Sequence, residues 1–228
     1  MPGLILSSCA HTASMTNPPP TAPGPDPVSN RYLALGDSYT IGESVAYEDR
    51  FPIQLTDALV AQDVLMDAPL IIARTGWTTA ELSAAIDQAQ PNGPFDLVTL
   101  LIGVNNQYRG YDIEEYRLEF RELLQRAIAF AGGDAVHVIV VSIPDWGVTP
   151  YAAGRDPHVI AGEIDAYNAV NFEETAQTDA RYVDVTAISR NALQDPALIA
   201  ADGLHPSGKM YAQWVEQILP EAIDVLKK

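Results

Sequence analysis

The sequence predicts an α/β fold, a three-layer α/β/α sandwich around a mainly parallel sheet of about five strands. Two observations carry this. Short runs of strand-favouring apolar residues alternate with longer segments of helical periodicity. The runs are apolar almost throughout, as strands covered on both faces are, and crossovers between parallel strands are right-handed, which puts helices on both sides.

The elements follow in order. "RYLALG" (31–36) is the first strand, and "FPIQLTDALVAQ" (51–62) places Ile53, Leu55, Ala58 and Leu59 on one helical face. "APLIIAR" (68–74) is the second strand. "TTAELSAAIDQAQ" (78–90) opens with Thr78 three residues before Glu81, the spacing of a capping box. "FDLVTLLIG" (95–103) is the third strand. "DIEEYRLEFRELLQRAIAFAG" (112–132) is a long amphipathic helix whose acidic first turn suits the helix dipole, with Gly132-Gly133 at its end. "VHVIVVSI" (136–143) is the fourth strand, "HVIAGEIDAYNAVNFEETAQT" (158–178) a helix and "RYVDVT" (181–186) a short fifth strand. "SGKMYAQWVEQILPEAIDVLKK" (207–228) closes the chain as a helix that Pro220 should kink or divide in two.

Composition narrows the function classes. Of 228 residues, 47% are apolar and 19% charged, with 13 Lys and Arg against 30 Asp and Glu and a net charge of −17. Such a chain has no basic surface to displace counterions from phosphates, so nucleic acid is not an expected partner. One cysteine, Cys9, forms neither an intrachain disulfide nor a cysteine-based metal site.

Residues 1–30 do not read as core. Six prolines between Pro18 and Pro27 describe an extended spacer, so the folded domain is expected to span 31–228. Ahead of them "LSSC", Leu6 to Cys9, resembles the lipobox of bacterial lipoproteins, whose cysteine carries lipid. The resemblance implies export and a membrane tether through Cys9. The apolar stretch Leu4–Leu6 is shorter than a secretory signal needs, and no basic residue precedes it. Either the start lies within a longer leader, the reading preferred here, or the match is chance and the protein is cytoplasmic.

The chemistry centres on "YLALGDSYTIG" (32–42), where the first strand runs into Asp37 and Ser38. A serine nucleophile needs a base, a group to orient that base, and donors for the oxyanion. Four histidines are available. His11 lies in the tail, His137 in a strand as a packed or edge residue, and His158 exposed at a helix start. His205 lies in "ADGLHPSG", three residues after Asp202, so one loop can supply base and orienter. Taken alone, that pair also reads as an ordinary loop acid and loop histidine at a helix entry.

The joint pattern is more specific than its parts. "LGDSYTIG", "RTGWT", "IGVNN" and "DGLHPS" resemble, in that order and at suitable spacing, the four sequence blocks of SGNH/GDSL hydrolases, over roughly residues 31–215. The resemblance implies a flavodoxin-like SGNH fold and a serine esterase of the lipase, lysophospholipase or acylhydrolase kind. Ser38 then matches the nucleophile, His205 the base and Asp202 the orienting acid. The oxyanion donors match the backbone N–H groups of Ser38 and Gly76 and the side-chain amide of Asn105. No metal or cofactor is implied. The third block usually reads Gly-x-Asn-Asp, and Asn106 here replaces its acid. An acyl ester, or an acylated glycan or lipid, is the expected partner. Trp77, Tyr108, Tyr111, Trp146 and Tyr151 are either lining of its pocket or packing under the loops, and 143–157 is the expected specificity loop. Oligomeric state has no signal in the sequence.

Three other classes compete. A carbohydrate O-deacetylase would use the same residues. A non-catalytic ligand-binding module would not need the full set of five. A nucleotide- or flavin-binding protein would carry a glycine-rich phosphate loop, and no G-x-G-x-x-G follows any strand.

Overall fold

The computed structural model of the chain describes residue 3 and residues 28–227; Cys9 and the proline-rich stretch lie outside the described residues. Five strands form one parallel sheet in the order β2-β1-β3-β4-β5: β1 Tyr32–Gly36, β2 Leu70–Ala73, β3 Leu97–Leu101, β4 Val138–Val141 and β5 Arg181–Val183. β1, β3 and β4 are buried at every residue, which is why they read as unbroken apolar runs. β2 and β5 are the edges and are partly exposed. Each predicted strand is therefore present, but β2 to β5 are shorter than their apolar runs, because pairing stops where the neighbouring strand ends.

The chain first steps from β1 outward to β2, then returns across β1 to β3 and continues to β4 and β5. Right-handed crossovers then place helices on both faces. Helix α2 (Phe51–Val60) packs against α8 (Gly208–Leu226), while α3 (Thr79–Ala89) packs on α5 (Ile113–Phe130) and α5 on α6 (Pro157–Thr175). The reversal opens a crevice at the carboxyl ends of β1 and β3, the position at which sheets of this kind bind ligands.

Two short helices line that crevice, α1 (Ser38–Ile41) after β1 and α4 (Val104–Tyr108) after β3. Gly36 lets α1 and the end of β3 close on β1: a Cβ there would collide with the Thr40 hydroxyl and the Leu101 carbonyl. The capping box of α3 forms, with Thr78 N–H donating to Glu81 Oε2 at 2.8 Å. α5 is capped by Asp112 and stops ahead of Gly132 and Gly133, both at positive φ.

Three expectations are corrected. Of the two expectations for Pro220, the joint between two helices is absent: Gly208–Leu226 is one helix with Pro220 inside it. Pro220 and Glu216, whose carbonyl loses its helical donor, both face solvent, where water replaces the missing bond. The residues after β5 do not extend the strand to 186 but turn into α7 (Thr186–Arg190). His137 ends a 3₁₀ turn ahead of β4 rather than lying in the strand, with Nδ1 bonded to Asp96 O at 2.6 Å.

Candidate active site

Asp37 positions Ser38. Its side chain accepts from Tyr39 N–H at 3.0 Å and caps α1, making Ser38 the first residue of a helical turn at the end of β1. The Asp37 carboxyl is fully buried with Oδ2 unpartnered, and desolvation pushes its pKa up to about 7 against the pull of that N–H donor. It is a buried neutral acid through mildly acidic pH.

Gly76 lies in the turn after β2, closed by Trp77 N–H donating to Arg74 O at 3.2 Å. Its φ of +87° is the left-handed conformation glycine supplies at the third position of such a turn. The Gly76 carbonyl accepts from Arg109 Nη2 at 2.6 Å, which fixes the peptide. Among the described residues, neither Ser38 N–H nor Gly76 N–H donates to a protein acceptor.

Asn105 sits in α4, and its Nδ2 donates one hydrogen to Trp77 O at 2.9 Å. The second hydrogen has no protein acceptor among the described residues. Asn106 is fully buried and ties the second block to the third: Thr79 N–H donates to its Oδ1 at 3.1 Å, and its Nδ2 donates to Thr79 Oγ1 at 2.7 Å. The Thr79 hydroxyl in turn donates to Glu119. An ionised aspartate at 106 could not donate to Thr79, so the departure from the usual block is matched by a neighbouring carboxylate that accepts the threonine's hydrogen bond.

His205 and Asp202 meet as the three-residue spacing predicts. His205 Nδ1 lies 2.5 Å from Asp202 Oδ2, and Asp202 Oδ1 accepts the N–H groups of Leu204 and His205 at 2.9 and 3.0 Å. Ser44 Oγ adds a fourth donor, to Oδ2 at 2.7 Å. Burial opposes ionisation of Asp202, but these donors outweigh it and hold the carboxyl well below the usual carboxylate range. The loop is pinned from outside by Tyr151 N–H donating to Gly203 O at 2.9 Å. The His205 ring packs edge-on to Tyr39, centroids 5.7 Å apart, and is 7% exposed.

Ser38, Gly76, Asn105 and His205 line one cavity of about 130 Å³, with Asp202 behind His205. Tyr108, Trp146 and Tyr151 form an aromatic part of its wall. Their rings lie 5.5 to 6.4 Å apart, the Tyr108 and Tyr151 hydroxyls are 3.1 Å apart, and Arg155 stacks on Tyr108 and Trp146. Trp146 is fixed by Nε1 donating to Gln107 at 2.8 Å. The segment 143–157 thus reaches the cavity through Trp146 and Tyr151. Trp77 and Tyr111 do not line it. Trp77 packs against the core and offers its carbonyl, while Tyr111 is exposed in a neighbouring groove. Sequence reasoning missed Tyr39, Thr75, Val104 and Leu204 as lining and Ser44 as a partner of Asp202. Adjacency to Ser38, Gly76, Asn105 and His205 was a usable signal for the first four. Ser44 had none.

A five-stranded parallel sheet with a serine, an acid–histidine pair and unpaired N–H groups around one cavity at its switch point has the architecture of the SGNH hydrolases. A sequence profile of the GDSL-like lipase/acylhydrolase family matches residues 34–213, and the chain belongs to that family, whose chemistry is ester hydrolysis. Solved structures share the fold. TesA is 19% identical, with a TM-score of 0.67 over 86% of this chain and 99% of its own. The psychrotrophic esterase EstA from Pseudoalteromonas sp. is 17% identical, with a TM-score of 0.64 over 88% of this chain and 100% of its own. Axe2, an acetylxylan esterase from Geobacillus stearothermophilus, is 21% identical, with a TM-score of 0.63 over 85% of this chain and 94% of its own. No curated protein matches the sequence.

Proposed function

We propose that the chain is a serine esterase acting through Ser38, His205 and Asp202 on esters of short acyl groups. The observation that carries this is the single cavity lined by a serine, a carboxylate-bound imidazole and three groups with N–H donors free for a ligand. Asp202 accepts from Nδ1–H, which leaves His205 Nε2 as the proton acceptor. Ser38 Oγ attacks the acyl carbon as His205 takes its proton. The oxyanion is held by Ser38 N–H, Gly76 N–H and the Asn105 amide, which add no net charge to the site. The alcohol leaves with the proton from His205, and water then attacks the acyl-enzyme by the same route, releasing the acid and restoring Ser38.

Size favours short acyl groups. A dry cavity of roughly 150 Å³ holds a molecule the size of benzene. The 130 Å³ here therefore suits acetyl to butyryl better than octanoyl. The half-exposed rings of Tyr108 and Tyr151 at the rim support a second reading, a carbohydrate O-deacetylase whose sugar stacks there, and Axe2 acts on such esters.

A fluorophosphonate ester tests the assignment. The expected result is one adduct, on the peptide bearing Ser38, lost in Ser38→Ala and strongly reduced in His205→Ala. An adduct on another residue, or none on folded protein, would overturn it.

A further inference from the structure

We infer that Ser44 is a positioning residue of this site, a hydroxyl that shares Asp202 Oδ2 with His205 and sets how strongly the carboxylate holds a protonated imidazole; the inference rests on the proposed triad. Three observations carry it. Ser44 Oγ donates to Asp202 Oδ2 at 2.7 Å, the same oxygen that His205 Nδ1 approaches at 2.5 Å. Ser44 has φ of +64°, a left-handed conformation that glycine adopts freely and serine does not. It also stands on an exposed segment, where burial demands no side chain. Backbone strain at a position that needs no packing points to use of the side chain itself.

The donor works through charge sharing. Each hydrogen bond to Oδ2 draws on the negative charge that would otherwise favour the imidazolium. Without Ser44 the ring is, among the described residues, the one remaining donor to Oδ2, with the Leu204 and His205 N–H groups still on Oδ1, so the carboxylate favours the imidazolium more strongly and less free base is present in acid. Among the described residues, the other groups around the pair make no hydrogen bond to the Ser44 side chain. Tyr39 faces the ring edge from α1, with the carboxyls of Asp37 and Asp145 acting on it in turn. Tyr211 of α8 feels both Asp202 and Arg50. Glu43 is engaged by Thr75. Among the described residues, His205 is the sole ion-pair partner of Asp202.

Ser44→Ala and Ser44→Gly separate charge from strain. Both remove the hydroxyl, but only glycine relieves the left-handed backbone. In the full-length protein the acid limb of kcat/KM is expected to move up by roughly 0.5 pH unit in both variants. Ser44→Gly is expected to melt about 2–4 °C above Ser44→Ala. NMR titration of the His205 ring, assigned by its loss in His205→Gln, reads the same shift without any turnover. An inactive wild type would count against the esterase reading, and the NMR shift would still decide the role of Ser44. A ring titration unchanged in both variants, or one that follows melting temperature and so differs between them, would overturn it.

Discussion

Restoring the family's usual acid at position 106 should harm this protein, and the size of the harm follows from three side chains. Asn106 is fully buried, and its Nδ2 is the donor to Thr79 Oγ1 at 2.7 Å. Thr79 then has its hydroxyl proton free for Glu119. Asn106→Asp removes the donor. The threonine must then choose between two carboxylates, and the loser is a charged acceptor without its proton. A buried polar group left unsatisfied costs about 1–3 kcal/mol. For a chain of this size that corresponds to a fall in Tm of about 3–10 °C. The deficit has a pH signature. Burial raises the folded-state pKa of the new acid above its unfolded value of about 3.9. Below that pH both states are protonated, the acid donates to Thr79 as the amide did, and the deficit is small. It grows as pH rises and levels off above the folded-state midpoint. Thermal unfolding of both proteins at pH 4 and pH 8 measures it. Glu119→Gln in the Asn106→Asp background should recover most of the loss, because the glutamine amide can donate while the threonine turns its proton to position 106. An Asn106→Asp protein as stable as the wild type at pH 8, or a deficit independent of pH, would refute the reasoning.

Other outcomes follow from the same geometry. Asn105→Ala should lower kcat on the order of 10²–10³ while the protein stays folded; an unchanged kcat would remove Asn105 from the oxyanion site. Asp37 has a folded-state pKa raised to about 7, so wild-type stability should decline as pH rises from about 4 through 7 and then level off. Asp37→Asn keeps the acceptor for Tyr39 N–H, and its Tm should match the wild type near pH 4 and exceed it at pH 8. Tyr151→Ala opens the rim where the two tyrosine hydroxyls meet, and should raise the octanoate-to-acetate ratio of kcat/KM on the order of tenfold.

Much of this molecule is legible in its sequence, for physical reasons that differ by element. β1, β3 and β4 announce themselves because strands covered on both faces must be apolar at every position. α3 and α5 do so through Thr78, Glu81 and Asp112, which satisfy helix-terminal N–H groups locally. The meeting of Asp202 and His205 is local as well, a fold-back over three residues. What stays hidden is set by distance in the chain. Ser44 reaches Asp202 across 158 residues and belongs to no periodic pattern. Asn106 looks like a lost acid until Thr79 and Glu119 stand beside it. α7 is too short to show a helical period. Trp77 and Trp146 read alike as aromatics beside motif loops, yet only Trp146 turns its ring to the cavity.

The most direct test of the central claim is hydrolysis of p-nitrophenyl acetate, butyrate and octanoate by the full chain beside Ser38→Ala, with and without a chelator. The expected result is turnover of acetate and butyrate above octanoate, indifferent to the chelator, and falling by more than about 10³-fold in Ser38→Ala. Turnover that survives loss of the Ser38 hydroxyl, or a folded wild type that hydrolyses none of the three, would contradict it.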